Sequence, residues 1–248
     1  MVGITEGPWV QFPELRPQAS DLMVDAAPLT IAEIGLGAVP RGAVLILCDA
    51  TSFDEACGPM NSLAEHGYES LSADLSGRRG QVEAGRAVKV LLERLAQRHW
   101  EHEQVGVIGY GGGAQPALRA AATYALGAAI SVASLPTLGQ LPLVAQALAE
   151  LCTPWLGLTS ARSANGVAPA FDQLDDIRTI QTPVYSELIC YPRAPERFYR
   201  DAATTSAHAV GFDSWQRTLE WLNNRVVPRL TPASLTWRAR LPERYGAP

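Results

Sequence analysis

Short apolar runs alternate along the chain with longer segments in which apolar side chains recur every three or four residues. A strand buried on both sides reads as an unbroken apolar run, and a helix covering it shows one apolar stripe, so the pattern predicts an α/β fold with a mostly parallel central sheet and helices on both faces. Ala43–Cys48 is the first buried run; a helix over Asp54–His66, stopped by Gly67, and a strand over Tyr68–Ala73 follow. Val82, Val88, Leu91, Leu92, Leu95 and Ala96 stand at helical spacing within Gln81–His99, with Arg86, Lys89, Glu93 and Arg98 on the other side. One face of that helix is expected on the sheet. Gln104–Gly109 predicts a strand, Gly113–Tyr124 an alanine-rich buried helix, and Ala128–Ala133 another strand. Two strand–helix pairs close the series, Trp155–Thr159 with Phe171–Ile180 and Val184–Cys190 with Ala207–Val227.

The first forty residues are punctuated by prolines and contain short pieces, such as Leu22–Val24, suited to antiparallel edge strands. Residues 228–248 carry four prolines and four arginines without a helical stripe. The chain is therefore expected to form one domain over residues 1–227 followed by an extended C-terminal arm over 228–248.

A chain of 248 residues, 47% of them hydrophobic, can bury a large core without metal or disulfide support. Its net charge of −5 and lack of any basic run argue against a nucleic-acid partner, because phosphate binding needs clustered cations. Cys48, Cys57, Cys152 and Cys190 are widely spaced and read as reduced thiols. The first fifteen residues lack the basic start and apolar stretch of a secretory signal, and the longest apolar stretches are too short or too polar to cross a bilayer. A soluble, cytoplasmic protein with no membrane contact, no metal and no cofactor is expected.

The turn between the predicted strand ending at Gly109 and the predicted helix after Gly113 carries the chemistry. Val105-Gly-Val-Ile-Gly109-Tyr110-Gly111-Gly112-Gly113-Ala114 has the small-residue spacing of a nucleophile elbow, whose central residue sits at positive φ while flanking glycines let neighbouring backbones pass. Gly109 and Gly113 fit the flanks. The nucleophile position falls on Gly111, which has no side chain. A glycine-rich phosphate loop is the competing reading. Ala114-Gln115-Pro116 stands where that loop would carry its lysine and hydroxyl, and the strand comes too late in the chain for a dinucleotide fingerprint.

Several segments together resemble the dienelactone hydrolase family of the α/β-hydrolase superfamily, over about residues 42–225. Leu45-Ile-Leu-Cys-Asp49, the passage from Leu63-Ala-Glu-His-Gly-Tyr68 to Ser72-Ala-Asp74-Leu75, and Val107-Ile-Gly-Tyr-Gly-Gly-Gly113 resemble the family's first strand, its following passage and its elbow. Tyr191-Pro-Arg-Ala-Pro-Glu196-Arg-Phe198 is similar to the segment holding the family's histidine, and Trp215-Gln-Arg-Thr-Leu-Glu-Trp-Leu222 to its last helix. The resemblance implies an α/β-hydrolase fold. It places the family's cysteine on Gly111, its histidine on Glu196, and its acid in the loop of Ser163 or Asn165. A triad needs a nucleophile, a base and an orienting acid, so these three substitutions predict that hydrolysis is lost.

By the same resemblance Asp49 takes the place of a glutamate beside the nucleophile, and Arg200 that of an arginine that binds a substrate carboxylate in some members. A loop cap for Asp49 and a solvated arginine for Arg200 are the structural alternatives. Asp49, Ala50, Tyr110, Gly111, Gly112, Glu196 and Arg200 are the expected lining of any retained ligand site. Of the four histidines, His66 and His99 read as helix-end residues, His102 as solvated, and His208 as the one able to rescue a site.

Three functions follow as expectations. The first is an inactive hydrolase-like protein that binds a small anionic or ester-like molecule. The second is an active ester or lactone hydrolase whose water is activated by Asp49 or Glu196, or which uses Thr51 or Ser52. The third is a partner-binding or homo-oligomeric subunit using the arm and Trp237, against which stands Trp237 covering the protein's own core.

Overall fold

The computed structural model describes residues 14–78, 80–137, 139–160, 169–192, 194–199 and 205–239. A hairpin opens the described chain, β1 (Gln18–Val24) and β2 (Ala27–Ile34). Then come β3 (Gly42–Cys48), α1 (Ala50–Asp54), α2 (Cys57–Glu65), β4 (Tyr68–Asp74), α3 (Gln81–Gln97) and β5 (Val105–Tyr110). A 3-10 turn over Gly111–Gly113 leads into α4 (Ala114–Thr123), followed by β6 (Ala128–Ser134), α5 (Leu141–Ala149) and β7 (Trp155–Ser160). The series ends with α6 (Pro169–Gln181), β8 (Ser186–Tyr191), α7 (Thr205–Arg225) and α8 (Pro232–Ala239).

Among the described residues the sheet runs β1-β2-β4-β3-β5-β6-β7-β8. Strands β3 to β8 pair in parallel, and β2 joins β4 antiparallel at the edge. The strands expected from unbroken apolar runs are buried along their whole length in β3, β5 and β7, which is what two covered faces require. Leu91 and Leu95 of α3, Leu118 of α4, Leu148 of α5 and Leu174 of α6 pack on one face. Met60 and Leu63 of α2 pack on the other with Leu219 and Leu222 of α7.

Some of the expectations are corrected and others extended. The helix expected over Asp54–His66 starts only at Cys57, after the short α1; Pro59 falls within its first turn, where a missing N–H costs no intrahelical bond. The edge pieces form a full hairpin, turned by Asp25 and Ala26 at φ 51° and 61°, the left-handed pair that two-residue hairpin loops need. Helix α5 is an addition to the expected elements, and Pro142 stands in its first turn, where a missing N–H costs no intrahelical bond. The arm, expected to be extended, contains α8. Thr231 caps it, its Oγ1 accepting the Ser234 N–H at 3.2 Å, and Pro232 opens it. Trp237 on α8 is 58% exposed rather than packed on the core.

Candidate functional site

The elbow is where the sequence places it, between β5 and α4. Gly111 has φ +54°, the strained left-handed conformation expected of the apex. A Cβ on Gly113 would collide with the Leu47 carbonyl of β3, and one on Gly109 with the Gly113 carbonyl. These flanks are therefore fixed by close backbone approach.

The space above the apex is filled. A Cβ on Gly111 would stand 2.6 Å from Asp49 Oδ2 and 3.0 Å from the Tyr199 hydroxyl. The Gly112 N–H donates to the same Asp49 oxygen at 3.2 Å. Asp49 follows β3, the strand next to β5, so adjacent strand ends bring its carboxylate to the place of the missing side chain. Tyr199, which sequence reasoning did not single out, arrives from the loop after β8. Its ring packs on Tyr110 at 5.1 Å and edge-on to Phe198 at 5.6 Å.

Beside the elbow a cavity of about 410 Å3 runs between the sheet and helices α4, α5 and α6. Asp49, Gly111, Gly112, Tyr199, Glu196 and Arg197 form its elbow side, with Glu196 and Arg197 exposed. Small residues on one sheet face make the room, since Ser131 and Ala133 of β6 stand in register with Gly157 and Thr159 of β7. The Trp155 ring lies so close to Gly157 that a Cβ there would collide with it. Its indole N–H donates to Ser131 Oγ at 3.0 Å, and Ser131 donates to the Ala114 carbonyl at 2.9 Å.

Of the expected lining residues, Asp49, Gly111, Gly112 and Glu196 come together at this cavity. Tyr110 instead lines a second cavity of about 300 Å3 between α2 and α7, which Tyr199 also touches. Ala50 opens α1, is exposed and lines neither. Arg200, Ser163 and Asn165 lie outside the described residues, and the side chains of Thr51 and Ser52 are likewise not described. No histidine lines either cavity among the described residues. His66 caps α2, with Nδ1 2.8 Å from the Ser62 carbonyl. His102 packs edge-on to Tyr124 at 5.8 Å, and His208 is exposed on α7.

The end of β8, which leads into the loop bearing Glu196, is tied to α7. The Tyr191 hydroxyl donates to Asp213 Oδ2 at 2.7 Å, and Arg217 Nε donates to the same oxygen at 2.7 Å. Burial and then the Asp213 carboxylate raise the Tyr191 phenol well above its ordinary value. Burial alone would raise the Asp213 carboxyl, but the bonds from Tyr191 and Arg217 outweigh it and hold the group below its ordinary range.

No protein-family model matches the chain, and no curated protein matches it. Solved structures do. A dienelactone hydrolase from Anabaena variabilis ATCC 29413 is 19% identical with a TM-score of 0.63, over 86% of this chain and 100% of that one. A dienelactone hydrolase-like promiscuous phosphotriesterase from metagenomic libraries is 16% identical with a TM-score of 0.62, over 83% and 98%. Est1E from Butyrivibrio proteoclasticus is 13% identical with a TM-score of 0.61, over 83% and 99%. The chain thus has the α/β-hydrolase fold, with dienelactone hydrolases and esterases among its structural neighbours.

Proposed function

We propose that this protein is a non-hydrolytic member of the α/β-hydrolase fold that binds a small molecule in the cavity beside its elbow. One observation carries the reading: the carboxylate of Asp49 stands where the nucleophile's side chain would be. Acyl transfer on this fold needs an attacking atom at the apex and, for the oxyanion, the backbone N–H of the next residue. Here the apex is glycine, and the next N–H, that of Gly112, already binds an anion. A carbonyl oxygen gaining negative charge at that point would meet the negative charge of Asp49, which opposes the transition state. Nor does an imidazole line the cavity among the described residues.

A second reading is favoured by the same geometry. Asp49 as general base, with the Tyr199 hydroxyl nearby, would activate water against an ester or lactone. The test uses purified protein with p-nitrophenyl acetate, p-nitrophenyl butyrate and dihydrocoumarin. Hydrolysis at the uncatalysed rate is expected. Turnover above that rate which disappears in Asp49→Asn would establish the second reading and overturn the first.

A further inference from the structure

Among the described residues, three buried hydroxyls at adjoining strand ends have no hydrogen-bond partner: Ser134 of β6, and Thr159 and Ser160 of β7. Buried polar groups are nearly always paired, so each unpaired one calls for an explanation. Ser134 and Ser160 face one another in register, and Thr159 is the next residue down the ladder. Two of the three, Ser134 and Thr159, line the 410 Å3 cavity. Alternation along the strands puts Thr159 on the cavity face with Ser131 and Ala133, and a turn about its χ1 bond carries its oxygen between the protein interior and the cavity.

The rest of that region sets the chemistry. Leu118, Val144, Leu174 and Leu188 give it apolar sides, while the hydroxyl of Ser131 is already engaged by Trp155 and the Ala114 carbonyl. The charged lining residues, Asp49, Glu196 and Arg197, belong to the elbow side. A ligand charge carried inward would have no counter-charge among the described residues, and burying an unpaired charge is strongly unfavourable.

We infer that the end of the cavity at Thr159 takes the hydroxyl or carbonyl group of an uncharged, largely apolar small molecule. Because a hydroxyl both donates and accepts, alcohols, phenols, ketones and lactones all satisfy it. The inference rests on the ligand-binding reading above.

Equilibrium dialysis of the full chain against three matched probes, 2-naphthol, naphthalene and 2-naphthoate, tests it. 2-Naphthol is expected to bind about fivefold more tightly than naphthalene, the worth of one net hydrogen bond, and 2-naphthoate more weakly than either. Thr159→Val, nearly the same shape, should erase the preference for 2-naphthol and leave naphthalene binding intact. Ala133→Phe should block both, with the thermal midpoint of each variant confirming that it folds. Equal binding of 2-naphthol and naphthalene, a preference that survives Thr159→Val, binding that survives Ala133→Phe, or no binding of any probe overturns the inference. Ester hydrolysis by the same preparation bears separately on the non-hydrolytic reading, so either can fail without the other.

Discussion

Asp49 Oδ2 accepts the backbone N–H of Gly112 at 3.2 Å and stands 2.6 Å from where a side chain on Gly111 would begin. A side chain at the apex would require the Asp49 carboxylate to turn aside. The two residues are therefore coupled: glycine at the apex makes room for Asp49, and Asp49 gives the exposed N–H of the turn a partner.

That coupling predicts the response to refilling the apex. Gly111→Ser introduces a Cβ at φ +54° and against Asp49, and it is expected to lower stability by about 1–3 kcal/mol. Asp49→Ala removes the clash but not the backbone strain, so Gly111→Ser should cost less in that background. A double-mutant cycle by urea denaturation measures the difference. Equal costs in both backgrounds would show that Asp49 does not occupy the apex.

The Tyr191–Asp213–Arg217 cluster predicts a pH dependence. Asp213 titrates below its ordinary 3.8 in the folded protein, so the unfolded chain binds its proton first as the pH falls. The stability it contributes is complete well above pH 3.8 and is lost as the pH drops through that value towards the lower folded one. Asp213→Asn should destabilise the protein at pH 6, and the gap between it and the parent should narrow below about pH 4. Thermal midpoints from pH 2.5 to 6 give the comparison. Both side chains of the ion pair are more than 40% exposed, so screening keeps the effect small.

Exposure makes a prediction for the arm. Leu235 and Trp237 of α8 are 54% and 58% exposed, and surface substitutions away from caps and cores stay within about 0.5 kcal/mol. Trp237→Ala should leave the denaturation midpoint unchanged. A loss of more than about 1 kcal/mol would restore the expectation that Trp237 covers the core.

Much of this architecture is legible in the sequence because β3, β5 and β7 are buried on both faces, and such strands show as apolar runs that need no tertiary knowledge. The elbow is legible for a similar reason, since Gly109 and Gly113 are imposed by backbone contact. Tyr199 is not. It sits beside Phe198 in a polar loop, and only the folded contact with Tyr110 brings its hydroxyl to the apex. The cavity is also hidden, because Ser131, Ala133, Gly157 and Thr159 share a face only once β6 and β7 are known to be neighbours in that register. Read one strand at a time, they are merely the small members of apolar runs.

Two hydroxyls on that face, Ser131 and Thr159, should respond oppositely to removal. Both residues are buried, but Ser131 accepts from Trp155 and donates to the Ala114 carbonyl, whereas Thr159 Oγ1 has no partner among the described residues. Ser131→Ala leaves an indole N–H and a carbonyl unpaired, at a cost of about 1–3 kcal/mol. Thr159→Val exchanges an unpaired hydroxyl for a methyl of similar volume and should raise stability by about 1 kcal/mol in the absence of ligand. Urea midpoints with unchanged m-values read both effects. If Thr159→Val destabilises the empty protein, its hydroxyl already has a partner there, and the space beside it has no need of one from a ligand.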